Sequence, residues 1–298
     1  MGQPDGRGLM PPLFVAEISS NHNRNLDRCL DFVDTAAGIG CGAVKFQLFR
    51  LTDLFAPEIL ARSRRHRQRQ AYELPPAFLP ALAERCRRQG LLFGCTPFSL
   101  DAVARLAKLA DFLKIASYEL LWTPLLEACA ATGLPVMLST GMADAAEVGQ
   151  AVSVLRRAGC RELTVLHCVS AYPLPPEQAN LAAMDSLRRA LGTKIGWSDH
   201  SRQPGVIHRA VHRFGADVVE FHLDLDGEGA EYGPGHCWLP REMAAVIRDA
   251  AIGRAADGDG IKQAAPSERA DRDWRADPAD GLRPRRPVRR TFPGDDES

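Results

Sequence analysis

Eight short runs of aliphatic and aromatic residues alternate with helical patterns along most of this 298-residue chain. Such alternation is typical of parallel sheets, because each crossover between parallel strands needs a connection long enough to hold a helix. Eight strands within about 250 residues predict a (β/α)8 TIM barrel, and a doubly wound sheet with fewer strands is the alternative. The candidate strands are residues 13–19, 42–47, 91–98, 112–117, 135–140, 163–168, 194–199 and 217–224.

Helical periodicity occupies the intervals between these runs. Apolar residues recur with the 3.6-residue period over residues 26–37 and stop at Gly38, which predicts a helix there. Another predicted helix begins after Asp144, has Glu147 at the spacing of a capping box, and ends before Gly159. The intervals are therefore consistent with the crossover helices of a barrel.

Two segments depart from this rhythm. The stretch from Leu51 to Pro75 carries the run RSRRHRQRQ, and we interpret it as a βα-loop with an exposed basic insertion. Half of residues 267–298 are charged, so we expect residues 1–266 to form the barrel and the remainder to be a disordered tail. The cluster Arg283–Arg290 has the charge to bind an acidic partner, although a solvated tail is the favoured interpretation.

Composition excludes several classes of protein. Basic and acidic side chains number 37 each, and this zero net charge argues against a general nucleic-acid binder. No run approaches the roughly 18 apolar residues of a membrane span, and the N-terminal residues do not resemble a secretory leader. The eight cysteines include no C-x-x-C pair and are interpreted as reduced core thiols. We therefore expect a cytoplasmic protein without a membrane partner.

Polar residues interrupt the apolar strands close to their carboxyl ends, where barrels carry their chemistry. Lys45 and Lys114 are the clearest cases, because a lysine buried in a strand is costly unless an anion or a carboxylate meets it. Two cations with several hydroxyl groups predict a phosphate-binding site. The alternatives for each lysine are a side chain that extends from an amphipathic helix to solvent and an internal pair with Glu17. The hydroxyl groups are those of Thr96, Ser117, Ser139 and Ser198.

Two histidines follow consecutive candidate strands. His200 comes directly after the seventh and His222 lies within the eighth, so a barrel would bring their rings together at its mouth. Two imidazoles with nearby oxygen atoms suit a divalent ion such as Mn²⁺, with positions left open for substrate.

Several segments resemble, in the same order, the sialic acid synthase (N-acetylneuraminate synthase) family. The resemblance covers the chain from about Leu13 to Glu268 and includes AEISSNHN, AVKFQLF, CTPF, LKIASYEL, LSTGM, LHCVSAYPLPPEQANL, GWSDHS and GIKQAAPSE. Members of this family condense phosphoenolpyruvate with an N-acylmannosamine-type sugar. Their fold is a TIM barrel followed by a small antifreeze-like domain, so the resemblance implies the same barrel as the strand pattern.

The resemblance also implies roles for individual residues. Glu17, Glu119 and Tyr172 would be catalytic, with Glu17 the carboxylate that orients or deprotonates a water molecule. His200 and His222 would bind Mn²⁺ or Mg²⁺, which polarises the aldehyde of the acceptor. Phosphoenolpyruvate would be held by Lys45, Gln47, Thr96, Lys114, Ser117, Ser139 and Ser198.

Departures from the family pattern concentrate on the acceptor side. Phe221 stands where the family commonly has lysine, Tyr118 where it has glycine, and Ser170 where it has asparagine. Gly235 replaces an aspartate near the metal and the acceptor, and His236 either substitutes for it or is an ordinary loop residue. The donor end of the site is therefore preserved, whereas the acceptor end is altered.

These observations predict a phosphoenolpyruvate-dependent synthase that makes a nonulosonic acid from an amino sugar or related aldose and releases phosphate. The alternatives are the same chemistry on a different aldehyde, or a catalytically weak barrel that binds a sugar phosphate. The charged tail is too short and too polar for an antifreeze-like domain. A homodimer, if it forms, is therefore expected to use an interface different from that of the family.

Overall fold

Eight parallel strands form a closed barrel in which β1 pairs with both β2 and β8, so the predicted fold class is confirmed. The structure, a computed structural model, describes residues 11–293. All eight predicted strands are present, because each apolar run is buried between the barrel interior and the surrounding helices. Their bounds are β1 Leu13–Glu17, β2 Ala43–Leu48, β3 Leu92–Pro97, β4 Phe112–Ile115, β5 Val136–Ser139, β6 Leu163–Cys168, β7 Lys194–Asp199 and β8 Val218–His222.

The helices include both of those predicted from periodicity. The helix that starts at Ala145 has the capping box, with Asp144 accepting hydrogen bonds from the Ala146 and Glu147 amides. The bounds are α1 Leu26–Gly38, α2 Leu51–Leu54, α3 Pro57–Arg62, α4 Arg64–Gln68, α5 Leu79–Gln89, α6 Leu100–Leu106, α7 Thr123–Ala131, α8 Ala145–Arg157, α9 Ala183–Leu191, α10 Pro204–His208, α11 Pro240–Asp257 and α12 Arg286–Thr291.

The stretch from Leu51 to Pro75 lies between β2 and α5, as expected of a βα-loop. Four short elements, α2, α3, α4 and a 3₁₀ turn at Arg69–Tyr72, occupy most of it. Its arginines are exposed, as predicted. The helices escaped prediction because a short helix that buries almost no side chain has no apolar period.

Side chains of alternating residues separate the barrel into an apolar floor and a polar mouth. One buried cluster contains Val15, Ala43, Phe112, Met137, Leu166 and Val218. Residues two positions further along the same strands include Glu17, Lys45 and Glu220, and they point to the same side because the strand period is two. Strand register sets Glu17 opposite both Lys45 and His222. The geometry of the sheet thus gathers these polar side chains above one apolar layer.

Contacts along the chain divide it after Arg254 into two compact units. The second unit contains 3₁₀ turns at Pro266–Glu268 and Arg272–Trp274 as well as α12. Among its described residues only Asp277 is buried, and Arg289 of the arginine cluster pairs with Asp280 at 2.7 Å. The predicted boundary after residue 266 and the predicted disorder of the tail stay predictions. Residues 294–298 of that tail lie outside the described residues.

Within residues 11–293, no helix is both long and apolar enough to cross a membrane. Residues 1–10, on which the prediction about a secretory leader depends, lie outside the described residues.

Candidate active site

A cavity at the carboxyl ends of the strands contains most of the predicted site. Glu119 is the one predicted residue that does not line it. The lining consists of Glu17, Lys45, Gln47, Thr96, Lys114, Ala116, Ser117, Tyr118, Ser139, Cys168, Tyr172, Ser198, His200, Glu220 and His222. The closed barrel therefore brings together residues that the sequence places on all eight strands or their following loops.

The lysine of β2 lies in a buried network of opposite charge. Lys45 Nζ contacts the Glu17 carboxylate, donates to Thr96 Oγ1 at 3.0 Å and lies 3.9 Å from Glu220 Oε2. Burial lowers the pKa of Lys45, but Glu17 and Glu220 outweigh that effect and raise it. The internal pair with Glu17, considered above as an alternative, is thus present in the structure, and it holds a permanent cation inside the cavity.

The second lysine is less strongly paired. Lys114 Nζ donates to the carbonyl oxygen of Ile115 at 3.3 Å and lies 3.8 Å from Glu220 Oε1. Burial lowers its pKa, and Glu220 offsets this only in part. A buried ammonium with one distant carboxylate retains the capacity to bind an anion.

The carboxylate shared by both lysines was not among the predicted site residues. Glu220 is buried, and although burial raises its pKa, Lys114 and Lys45 hold that pKa down to about 2. Its signal in the sequence was the same as that of the lysines, namely one charge inside an apolar strand. Cys168, with its Sγ 3.7 Å from Ser117 Oγ, also lines the cavity without having been predicted.

Hydroxyl groups surround the charges, as predicted. Ser198 Oγ donates to Glu220 Oε1 at 3.2 Å, and Ser117 Oγ accepts a hydrogen bond from the Gly141 amide at 2.9 Å. Within residues 11–293, the buried Ser139 Oγ has no hydrogen-bond partner. An unpartnered buried hydroxyl is costly, so this group is suited to donate to a bound anion.

The two carboxylates predicted to be catalytic have different surroundings. Glu17 Oε1 accepts from Gln47 Nε2 at 2.7 Å, which orients the carboxylate toward the cavity. Glu119 lies on the 3₁₀ turn Ser117–Glu119, and its Oε2 is buried without a partner. Burial raises the pKa of Glu119 to about 7, while the charge of Lys114 opposes the shift. A catalytic role for Glu119 stays a prediction, because its side chain does not line the cavity.

Tyr172 and three histidines pack together at one side of the mouth. The ring centre of Tyr172 is 4.1 Å from that of His200, and the rings of His200 and His222 are 5.3 Å apart. His200 Nδ1 donates to the Val169 carbonyl at 2.8 Å, which leaves Nε2 of the neutral ring as a free lone pair. Burial lowers the pKa of both His200 and His222 and keeps the imidazoles neutral, as metal ligands must be.

A loop after β8 brings further ligand groups to His222. Ligand atoms of His222, Glu231, His236 and Cys237 all lie within 4.8 Å of one another. This donor set fits a divalent transition-metal ion. His200 is not part of the compact group, and the prediction that it shares an ion with His222 stays a prediction. Sequence reasoning left the role of His236 open and missed Glu231, because neither residue lies in a strand.

Comparisons with known proteins agree with this geometry. The model of the NeuB family matches residues 32–262. The N,N'-diacetyllegionaminic acid synthase of Campylobacter jejuni is 33% identical, over 86% of this chain and 80% of its own length. The pseudaminic acid synthase of Helicobacter pylori is 35% identical, over 73% of this chain and 67% of its own length.

Solved structures lead to the same conclusion. The N-acetylneuraminic acid (sialic acid) synthetase of Leptospira borgpetersenii, solved in complex with citrate, superposes with a TM-score of 0.78 and 31% identity, covering 88% of this chain and 90% of that one. The resemblance that the motifs indicated is thereby confirmed. The chain belongs to the NeuB family, and it is an enzyme of that family.

Proposed function

We propose that this enzyme condenses phosphoenolpyruvate with an amino sugar or a related aldose, forming a nonulosonic acid and releasing phosphate. The observation that carries the proposal is the pair of buried lysines, Lys45 and Lys114, within one cavity that also holds an unpartnered Ser139 hydroxyl. Phosphoenolpyruvate brings two anionic groups, and two ammonium groups with hydroxyl donors are complementary to them.

In this proposal the lysines bind the donor. Lys114, with one distant carboxylate, is the group most available to the phosphate, while Lys45 remains tied to Glu17 and Glu220. The hydroxyls of Ser139 and Thr96 complete the contacts. The apolar floor below them excludes water from beneath the donor, which strengthens each charge interaction in the cavity.

The reaction forms a carbon–carbon bond between C3 of the enol and the aldehyde carbon of the acceptor. A water oxygen adds to C2, and the bond between C2 and the phosphate oxygen then breaks to leave a keto group and inorganic phosphate. Glu17 is placed to orient and deprotonate the water, since Gln47 fixes its carboxylate at the edge of the cavity. His222 would help to hold a divalent ion, and such an ion would supply Lewis-acid polarisation of the aldehyde.

The location we propose is the cytoplasm. All eight cysteines are free thiols and all are buried, and an unpaired set of this kind is typical of a reducing compartment.

The test mixes the enzyme with phosphoenolpyruvate, Mn²⁺ and a panel of N-acylated and plain aldoses, and it measures phosphate together with the new 2-keto acid. We expect both products to appear in equal amounts with at least one sugar. The Glu17→Gln variant should still bind phosphoenolpyruvate but lose turnover. Tight binding of the donor without turnover on any aldehyde would overturn the proposal and favour the sugar-phosphate-binding alternative.

A further inference from the structure

The loop between β8 and α11 places a carboxylate and a third imidazole against His222. Glu231 Oε2 lies 3.3 Å from His222 Nδ1 and 3.8 Å from His236 Nε2. The ring centres of His222 and His236 are 4.7 Å apart. Two nitrogen ligands and one oxygen ligand thus face a common point.

These groups are buried but poorly satisfied. His222 and His236 are 7% and 3% exposed, so water satisfies little of their bonding capacity. Among the described residues, Glu231 Oε2 and His222 Nδ1 have no well-directed hydrogen bond. Buried polar atoms without partners are costly in a protein interior, and an ion between these two atoms would satisfy both. His236 Nε2, 3.8 Å from the same Glu231 oxygen, is available as the third ligand.

The rest of the loop holds this arrangement in place. Glu231 Oε1 accepts a hydrogen bond from Ser19 Oγ at 2.7 Å, and the Glu231 amide donates to Asn21 Oδ1 at 2.8 Å. The buried Asp224 carboxylate accepts from the Gly227 amide at 2.7 Å. One oxygen of Glu231 is therefore anchored and the other is directed at the imidazoles, which is the arrangement expected of an oriented ligand.

We infer that His222, Glu231 and His236 form a two-histidine, one-carboxylate site for a divalent transition-metal ion. The inference rests on the proposed function, because an ion at His222 is the one that would polarise the aldehyde of the acceptor. Cys237 Sγ, 3.7 Å from His236 Nε2, lies beside the site and adds a soft sulfur donor to its surroundings. Such ligands favour Mn²⁺, Fe²⁺, Co²⁺ or Zn²⁺ over Mg²⁺.

A protein carboxylate in the ligand set has a functional consequence. A site with only two neutral imidazoles relies on substrate and water to complete the coordination. The added negative charge of Glu231 increases the affinity for a dication, so this enzyme should retain its metal before any substrate binds. Ser19 and Gln47 link Glu231 to Glu17, since Gln47 Nε2 donates to Ser19 Oγ at 3.1 Å and to Glu17 Oε1.

The experiment measures metal binding without turnover. Full-length protein is stripped of metal and titrated with Mn²⁺, and the free ion is followed by electron paramagnetic resonance. The variants are Glu231→Gln, His236→Gln and the control Glu228→Gln, which changes an exposed carboxylate of the same loop. We expect each of the first two to weaken Mn²⁺ binding at least about tenfold, since even outer-shell changes cost that much. The control should bind like the unchanged protein.

Pulsed resonance of the bound Mn²⁺ counts the coordinated imidazole nitrogens and gives a second readout. His236→Gln should remove one nitrogen from that count, and thermal melts establish that each variant is folded. Unchanged affinity in both Glu231→Gln and His236→Gln would overturn the inference, as would an unchanged nitrogen count. Because no substrate is present, loss of the proposed synthase activity would not mimic either result.

Discussion

At the scale of single residues, this enzyme buries two lysines and two glutamates in the barrel interior. An isolated charge at such a position would cost a large free energy of burial. Lys45 and Lys114 are each 3% exposed, and Glu17 and Glu220 are exposed by 1% and 4%. Each lies close to an opposite charge, which offsets the cost of burial. Glu17 and Glu220 raise the pKa of Lys45, so an arriving anion meets a cation already in place there, whereas burial lowers the pKa of Lys114.

The first prediction concerns Lys114. Lys114→Met should lower kcat/KM for phosphoenolpyruvate by about 10- to 100-fold, the range for loss of a charge-assisted contact. It also leaves Glu220 with one cation fewer, so the folded state must be checked by circular dichroism. Lys108→Met, an exposed lysine, is the matched control. Steady-state assays with varied phosphoenolpyruvate would contradict the prediction if both variants behaved alike.

The second prediction uses the raised pKa of Glu119, which is about 7 in the folded protein against an ordinary value of 4.5. Between these values the folded state keeps a proton that the unfolded chain has lost, so stability falls as the pH rises from 4.5 through 7. Glu119→Gln removes this loss. We expect the variant to gain about 1–3 kcal/mol relative to the unchanged protein between pH 5 and pH 8, after allowing for partial exposure.

Urea unfolding at the two pH values measures that difference in free energy. Glu127→Gln, which changes an exposed carboxylate of α7, serves as the control and should not alter the pH dependence. A Glu119→Gln protein with the same pH dependence as its parent would show that the carboxyl group is not protonated near neutral pH.

At the scale of secondary-structure elements, each short strand has an apolar part and a polar part. Inward-facing residues nearer the amino end are apolar and form the floor of the barrel. Residues two positions further on, near the carboxyl end, are polar and form the site. Strand positions could be predicted because this pattern is local. The helices α2, α3 and α4 could not be, since they bury only Leu51 and so leave no periodic signal.

One glycine determines how neighbouring strands fit. A Cβ at Gly94 in β3 would lie 2.0 Å from the ring of Phe112, which fills the barrel interior beside it. Gly94→Ala should therefore destabilise the protein by about 1–3 kcal/mol, as overpacking does. Gly149→Ala in α8 meets no atom within 4 Å and should instead stabilise by about 0.5–1 kcal/mol. The free energy of unfolding of both variants is measured by chemical unfolding. A change of the same sign in both would contradict the prediction.

At the scale of the whole molecule, closure of the barrel converts positions far apart in sequence into one site. Pairing of β1 with β8 sets Glu17 beside His222, and pairing of β7 with β8 sets Ser198 beside Glu220. A ligand that bridges several strands should consequently stabilise the whole barrel.

Phosphoenolpyruvate at about 100 times its Kd is expected to add about 2.7 kcal/mol of stability. For a barrel of this size that corresponds to a rise in Tm of about 5–11 °C. Pyruvate, which lacks the phosphate, should give a smaller rise, and Lys114→Met should reduce the effect of phosphoenolpyruvate. Scanning fluorimetry showing equal shifts for pyruvate and phosphoenolpyruvate would contradict a phosphate-binding role for the cavity.

The sequence by itself determined the barrel, its eight strands and most of the polar side chains that line the cavity, because strand periodicity and polar interruptions are local properties of the chain. Only the tertiary structure decided which charges pair, for example that Glu220 serves both lysines. It also decided that Glu231 and His236 meet His222. The physical reason is that a loop residue has no period to predict its direction, and its neighbours are set by barrel closure and by long-range anchors such as Ser19 and Asn21.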